Sequence, residues 1–385
     1  MSLVAAGLFP HPPVIIPEIG GEDSSKVMKT IETVKAAMEQ IVAENPETVV
    51  VMSPHNLCFS DGPSLLMAEK LSGNMGAFGH PALSMTLLVD QELAALISKK
   101  AAPLYHWHQV DKAEAARYKK PLHIDWGSFV PLYYLLQAGF QGKLVVMTPN
   151  STQRDGSYAL GAIVNYAAQK LNRQVAVIAT GDLSHKLTPD APHGYSPKGK
   201  DFDATIVSAL SHRDKEALDL LPSSLLQEID TCGLPSVYFL LGALGDTPAK
   251  LPLLSHEGPF GVGYGVALYL PEPPAPKETP TPSPYVALAR EAIEHYIRTG
   301  RFLRVPQELP PDLRRPGAVR ITIREFGAIR GYAYTVHPQY HSLAEEIIHI
   351  AKAAATENPP HPPVTASELE DLDIAVETTT IRVKD

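Results

Sequence analysis

The feature that most constrains this chain is the run PEPPAPKETPTPSP, from Pro271 to Pro284. Seven of its fourteen residues are proline, which fixes φ and carries no amide donor, so neither a helix nor a central strand can pass through it. The run predicts an extended, semi-rigid connector, residues 271–284. It parts the 385 residues into two units, residues 1–270 and 285–385. The first can bury a substantial core without disulfides; the second can bury only a small one. Cys58 and Cys232 are the only cysteines, which excludes a disulfide scaffold, a zinc ribbon and an iron–sulfur site. Cys58 reads as a small buried apolar residue. The net charge of −9 argues against a nucleic-acid partner or an anionic membrane surface. No apolar run approaches the ~20 residues of a membrane span, and no signal-peptide pattern opens the chain. A cytoplasmic location is therefore expected.

The first unit alternates strand and helix patterns. Leu3–Phe9 is a short apolar run, and Thr48–Met52, Leu144–Thr148 and Val175–Ala179 are β-branched-rich runs of the kind buried on both faces of a sheet. Val262–Leu270 reads as a further strand. Ser24–Ala43 carries Val27, Ile31, Val34, Met38 and Ile41 at helical spacing. Helices are also expected over 157–171, 201–210, 214–220 and 237–244. This is an α/β pattern with a mixed or mostly parallel central sheet flanked by helices. The second unit is α+β. It has helices at 285–299, ended by Gly300, and at 343–355, with strands at 318–324, just after Gly327, and at 374–383.

The chemistry-bearing residues cluster where strands end, which is where open α/β sheets bind ligands. His11 follows the first strand in GLFPHPP, His55 the second in VVVMSPHNL, and Asp182 and His185 the strand at 175–179 in ATGDLSH. Glu257 precedes the last strand of the unit in LLSHEGPFGVGYG. Two histidines and one carboxylate form the facial triad of non-haem Fe2+ enzymes, and the same set suits Zn2+ or Mn2+. Position alone leaves plainer roles open. His11 can be a packed loop residue between prolines, His55 a turn cap, Asp182 and His185 a local hydrogen-bonded pair, and Glu257 a solvated turn residue. His106 and His108 around Trp107, and His123 beside Asp125 and Trp126, either line a pocket for an aromatic ligand or lie on an ordinary surface. His80 opens a segment that can border such a pocket. No dinucleotide fingerprint, nucleophile elbow or P-loop is present.

Taken in order, GLFPHPP, VVMSPH, WGSFVPLYYL, GDLSH and HEGPFGVGY resemble the class III extradiol ring-cleavage dioxygenases, the LigB-like superfamily, over residues 1–270. The resemblance implies Fe2+ held by His11, His55 and Glu257, with His185 moving protons. It further implies O2 and a catecholic small molecule as substrates, and a homo-oligomer, a dimer first of all. One position departs from the pattern. The family commonly has Asp-His-Gly where this chain has Asp125, Trp126 and Gly127. An indole donates a hydrogen bond but cannot act as a base. His123 is the nearest replacement, and His123, Trp126 and Asp182 are the expected pocket residues. Memo-type proteins of the same superfamily keep the fold without an established ring-cleavage role, so a metal-binding or scaffold protein is the alternative. The tail resembles AMMECR1-type domains through IRGYAY (Ile329–Tyr334), HPQYHSLAEEIIHIAKAAA and ENPPHPPVTASELEDLDIAVE. It reads as shorter than the usual domain. Tyr332 takes the place of that hexapeptide's cysteine, which excludes thiol chemistry there. The pairing of the two parts resembles the AmmeMemoRadiSam grouping, which implies a radical-SAM partner in a shared pathway.

Overall fold

The computed structural model describes residues 2–150, 156–273, 282–358 and 361–379. Thirteen strands are described, β1 (Leu3–Phe9), β2 (Thr48–Met52), β3 (Ser64–Leu66), β4 (Lys70–Met75), β5 (His80–Leu88), β6 (His108–Val110), β7 (Lys143–Thr148), β8 (Val175–Thr180), β9 (Ala249–Glu257), β10 (Tyr264–Pro271), β11 (Ala318–Glu325), β12 (Ala328–Tyr334) and β13 (Leu372–Thr379). They divide between two compact units, residues 1–275 and 276–385. Most of the proline run, residues 274–281, lies outside the described residues, as do positions 380–383 of the last expected strand.

The first unit is built on one eight-stranded sheet in the order β6-β3-β7-β2-β8-β1-β10-β9. Its centre, β7-β2-β8-β1, is parallel, with Val50 beside Val145 and Val177, and Gly7 beside Ile178. β10 and β9 add antiparallel at one edge. β3 runs antiparallel to β7, and β6 parallel to β3, at the other. The central β-branched runs are buried along their whole length because both faces are covered. Val49, Val51, Ala176 and Ile178 face a core shared with Ile31, Val34 and Met38 of the helix Met28–Ala43 and with Phe129 and Leu132 of the helix Trp126–Gln137. The helices Gly156–Lys170 and Leu234–Leu244 pack together and against β1.

Three differences from the sequence reading stand out. The expected helix over 24–43 begins at Met28, because Gly21–Val27 winds as a 3-10 segment. The β4–β5 hairpin forms a separate two-stranded sheet with a largely exposed second strand, so it lacks the continuous apolar run that marks a buried one. Cys58 is exposed rather than buried, on the loop after β2.

The second unit has the antiparallel sheet β12-β11-β13 with the helices Pro284–Thr299 and Leu343–Thr356. Ile293, Ile321, Ile323, Ile347 and Ala351 sit in its own core. Among the described residues no helix is long and apolar enough to cross a membrane.

Candidate metal centre

Because β1, β2 and β8 are parallel, the loops that follow them open on one rim of the sheet. His11, His55, Asp182 and His185 all line a cavity of about 350 Å³ there, with Trp126, His193, Cys232 and Tyr264.

His11 is fully buried and tied at two points. Its backbone amide donates to Asp182 Oδ1 (3.2 Å), which joins the loops after β1 and β8. Its Nδ1 lies 2.9 Å from Thr180 Oγ1. Thr180 in turn donates to the carbonyl of Gly127 at 3.2 Å. The reason lies in the sequence four residues on. Pro131, inside the helix Trp126–Gln137, has no N–H to give that carbonyl. The freed Gly127 oxygen accepts the hydrogen bond of the Thr180 hydroxyl, so the hydroxyl oxygen in turn accepts from His11 Nδ1–H. His11 Nε2 is left unprotonated, the form in which imidazole binds a metal.

That nitrogen lies 3.1 Å from His55 Nε2 and 3.5 Å from Cys232 Sγ. The His55 ring stacks on Trp126, with centroids 4.1 Å apart, and both rings lie close to His11. Trp126 is the first residue of its helix. Asp125 caps that helix by accepting from Ser128 N–H and also binds Ser53 and Asn56 on the His55 loop. Cys232 is set by backbone contact. Gly233 N–H donates to the Asp182 carbonyl at 2.8 Å, and a Cβ on Gly181 would fall 2.3 Å from Gly233 Cα. Asp182 N–H then points at Cys232 Sγ, 3.2 Å away.

Burial shapes the titration of the whole cluster. It lowers His11 strongly, assisted by the neighbouring His55 and His185. It lowers His55 against a smaller opposing pull from Asp125, and His185 against one from Asp230. Burial raises Asp182 to about 7, and it pushes the Cys232 thiol well up, with Asp182 adding to the effect. The histidines are thus neutral and competent as ligands at neutral pH.

Glu257 stands apart. Its Oε1 accepts from Thr30 N–H (2.8 Å) and from the Thr30 hydroxyl. Thr30 lies in the first turn of the helix Met28–Ala43, whose N-cap, Val27, has no side-chain acceptor. Glu257 supplies the missing cap from β9, with its charge at the positive end of the helix. Among the described residues, one group of ligand atoms lying within 4.8 Å of one another is His11, His55 and Cys232, without Glu257. In this structure a thiol faces the two imidazoles, while the Glu257 carboxylate caps a helix. His123 is also placed elsewhere. It is not among the residues lining the cavity, and its Nδ1 bonds the Pro121 carbonyl at 2.9 Å. His106 and His108 meet Asp61 instead.

Cys232 was hidden in the sequence because a single cysteine has no partner spacing. The available signal is its place in TCGLP, one residue before a glycine that admits close backbone approach and a proline that starts an apolar helix.

An open α/β sheet with metal-ligand side chains gathered past its parallel strands defines the class. Comparison with known proteins narrows it. The model of the catalytic LigB subunit of aromatic ring-opening dioxygenase matches residues 5–267, and that of AMMECR1 matches residues 286–382. The chain belongs to the LigB family and carries an AMMECR1 domain in the same polypeptide. A protein of Clostridium acetobutylicum, CA_C1420, is 31% identical over 404 residues, covering 98% of this chain and 84% of that one. A protein of Thermofilum pendens is 39% identical over 100 residues, covering 23% of this chain and 45% of its own. Among solved structures, the uncharacterized protein JW3007 of Escherichia coli K12 aligns with a TM-score of 0.47 and 15% identity, covering 69% of this chain and 99% of that chain.

Proposed function

We propose that the first unit is a metal-binding LigB-family protein whose centre is His11, His55 and Cys232, altered from the two-histidine, one-carboxylate pattern. One observation carries this reading: Cys232 Sγ lies 3.5 Å from His11 Nε2, while Glu257 caps a helix. Two imidazoles and a thiolate favour Zn2+ over Fe2+, because sulfur is the softer donor. When bound, such an ion polarises an oxygen ligand as a Lewis acid. The chain's own residues do the rest. Thr180 holds His11 in its ligating tautomer, and Asp182 fixes both the His11 amide and the Cys232 loop. Trp126 closes one wall with an apolar face, which suits a small aromatic ligand. The experiment is metal analysis of protein purified anaerobically, followed by Co2+ titration. A thiolate-to-cobalt charge-transfer band is expected in the parent and not in Cys232→Ser. The same band in both proteins, or metal lost only in Glu257→Gln, refutes the reading.

A second reading keeps ring cleavage of a catechol with O2 on added Fe2+. It rests on His185, whose Nδ1 is buried without a hydrogen-bond partner among the described residues. That histidine stands in the cavity as a neutral group able to take a proton from a bound hydroxyl and return it. Oxygen uptake with a catechol panel after Fe2+ loading tests it. Uptake abolished in His185→Ala supports it, and no uptake by the parent ends it.

A further inference from the structure

A second set of ligating side chains lies elsewhere, on the edge of the main sheet. Asp61 lies near the end of the loop that leaves β2, and His106 and His108 flank Trp107 at the start of β6. Asp61 Oδ1 is 2.9 Å from His108 Nε2, and its Oδ2 is 3.2 Å from His106 Nδ1. One donor atom from each residue falls within 4.8 Å of the other two.

We propose that Asp61, His106 and His108 form a second divalent transition-metal site, of the Zn2+ class, separate from the His11, His55 and Cys232 centre. Three features support it. The first is spacing. At metal–ligand distances of about 2.0–2.1 Å, neighbouring ligand atoms lie roughly 3.0–3.4 Å apart, close to the 2.9 and 3.2 Å between each imidazole and its carboxylate oxygen. The second is orientation. The two imidazoles are nearly parallel, at 16°, and each addresses a different oxygen of one carboxylate. An exposed ion pair requires only one such contact. The third is rigidity. Phe59 stacks on His108 with centroids 3.9 Å apart, and Gly62 packs so tightly that a Cβ would meet the His106 carbonyl at 1.7 Å.

Neutral imidazoles reach the ligating form by moving a proton between ring nitrogens, with no net proton loss. Two imidazoles and a carboxylate select Zn2+, Ni2+ or Cu2+ over Mg2+ and Ca2+. His106 and Asp61 are exposed, so water completes the coordination. The loop that holds Asp61 near its end carries His55 near its start, so an ion here fixes the segment that presents His55 to the first centre.

The test is equilibrium dialysis of the reduced full-length chain against Zn2+ with excess Mg2+. The parent, Cys232→Ser, His106→Gln/His108→Gln and Asp61→Asn are compared, each checked for an unchanged circular dichroism spectrum. The double variant and Asp61→Asn should each bind one Zn2+ fewer than the parent, while Cys232→Ser keeps the ion they lose. Equal stoichiometry in the parent and both edge variants overturns the proposal. So does an edge ion that Mg2+ displaces. Loss in the edge variants with none in Cys232→Ser leaves this site standing and removes the thiol centre instead.

Discussion

At the scale of single residues, the centre depends on a relay that never touches the ligand atoms. Pro131 frees the Gly127 carbonyl, Thr180 satisfies it, and Thr180 thereby dictates which nitrogen of His11 faces the cavity. Thr180→Val keeps the shape and removes the hydroxyl. It leaves two buried polar groups short of a partner, costing about 1–3 kcal/mol of stability. It should also weaken Zn2+ binding about 10–100-fold, the usual effect of losing a group that orients a ligating histidine. Chelator competition measures this, and unchanged affinity refutes the relay. The same relay marks what the sequence could and could not disclose. His11 and His55 were legible because each closely follows an apolar strand run, and a parallel sheet brings such ends together. Cys232 and Glu257 were not, because their positions are set by contacts remote in sequence. Cys232 is placed by Gly233 against Gly181, and Glu257 is drawn off by a helix whose own N-cap, Val27, cannot cap it.

At the scale of elements, the helices Gly156–Lys170 and Leu234–Leu244 meet through glycines. A Cβ at Gly161 would lie 2.0 Å from the Phe239 carbonyl oxygen, and one at Gly242 would lie 1.8 Å from that of Tyr158. Both obstacles are backbone, so the helices must separate to admit a methyl group. Alanine raises helix propensity by about 1 kcal/mol over glycine. Here overpacking should outweigh that gain, for a net loss of about 1–3 kcal/mol. The helix Leu234–Leu244 starts two residues after Cys232, so its displacement moves the thiol as well. Gly242→Ala should therefore lower both the urea midpoint and Zn2+ affinity. A drop in the midpoint with affinity intact would uncouple the helix from the centre. These two helices were readable from their apolar content, as were the central strands. The β4–β5 hairpin was not, since β4 buries only alternate residues and β5 hardly any.

At the scale of the whole molecule, two units with separate cores should unfold in separate transitions, and the second carries its own acid-sensitive ion pair. Its buried Arg330 pairs with Glu368 at 2.6 Å, with buried Glu325 4.0 Å away. Burial alone would raise the Glu368 carboxyl, but hydrogen bonds from Arg330 and Thr365 outweigh it and hold the group below its ordinary value of 4.5. A carboxyl whose folded pKa is depressed contributes stability above its unfolded value, and that contribution disappears as pH falls through the folded value. The second unit should therefore weaken as pH drops below about 4.5. Both tryptophans, Trp107 and Trp126, lie in the first unit, so their emission ignores the second. Acid titration should show a phase of helical circular dichroism loss that has no counterpart in tryptophan emission. Glu368→Gln should cost about 1–3 kcal/mol at neutral pH, because it replaces a charge-assisted hydrogen bond and leaves the buried guanidinium only the more distant Glu325 carboxylate. It should also flatten the acid dependence of that phase. Coincident changes in both probes, or an acid slope identical in Glu368→Gln, would show that the units unfold as one or that this ion pair does not set the acid limit.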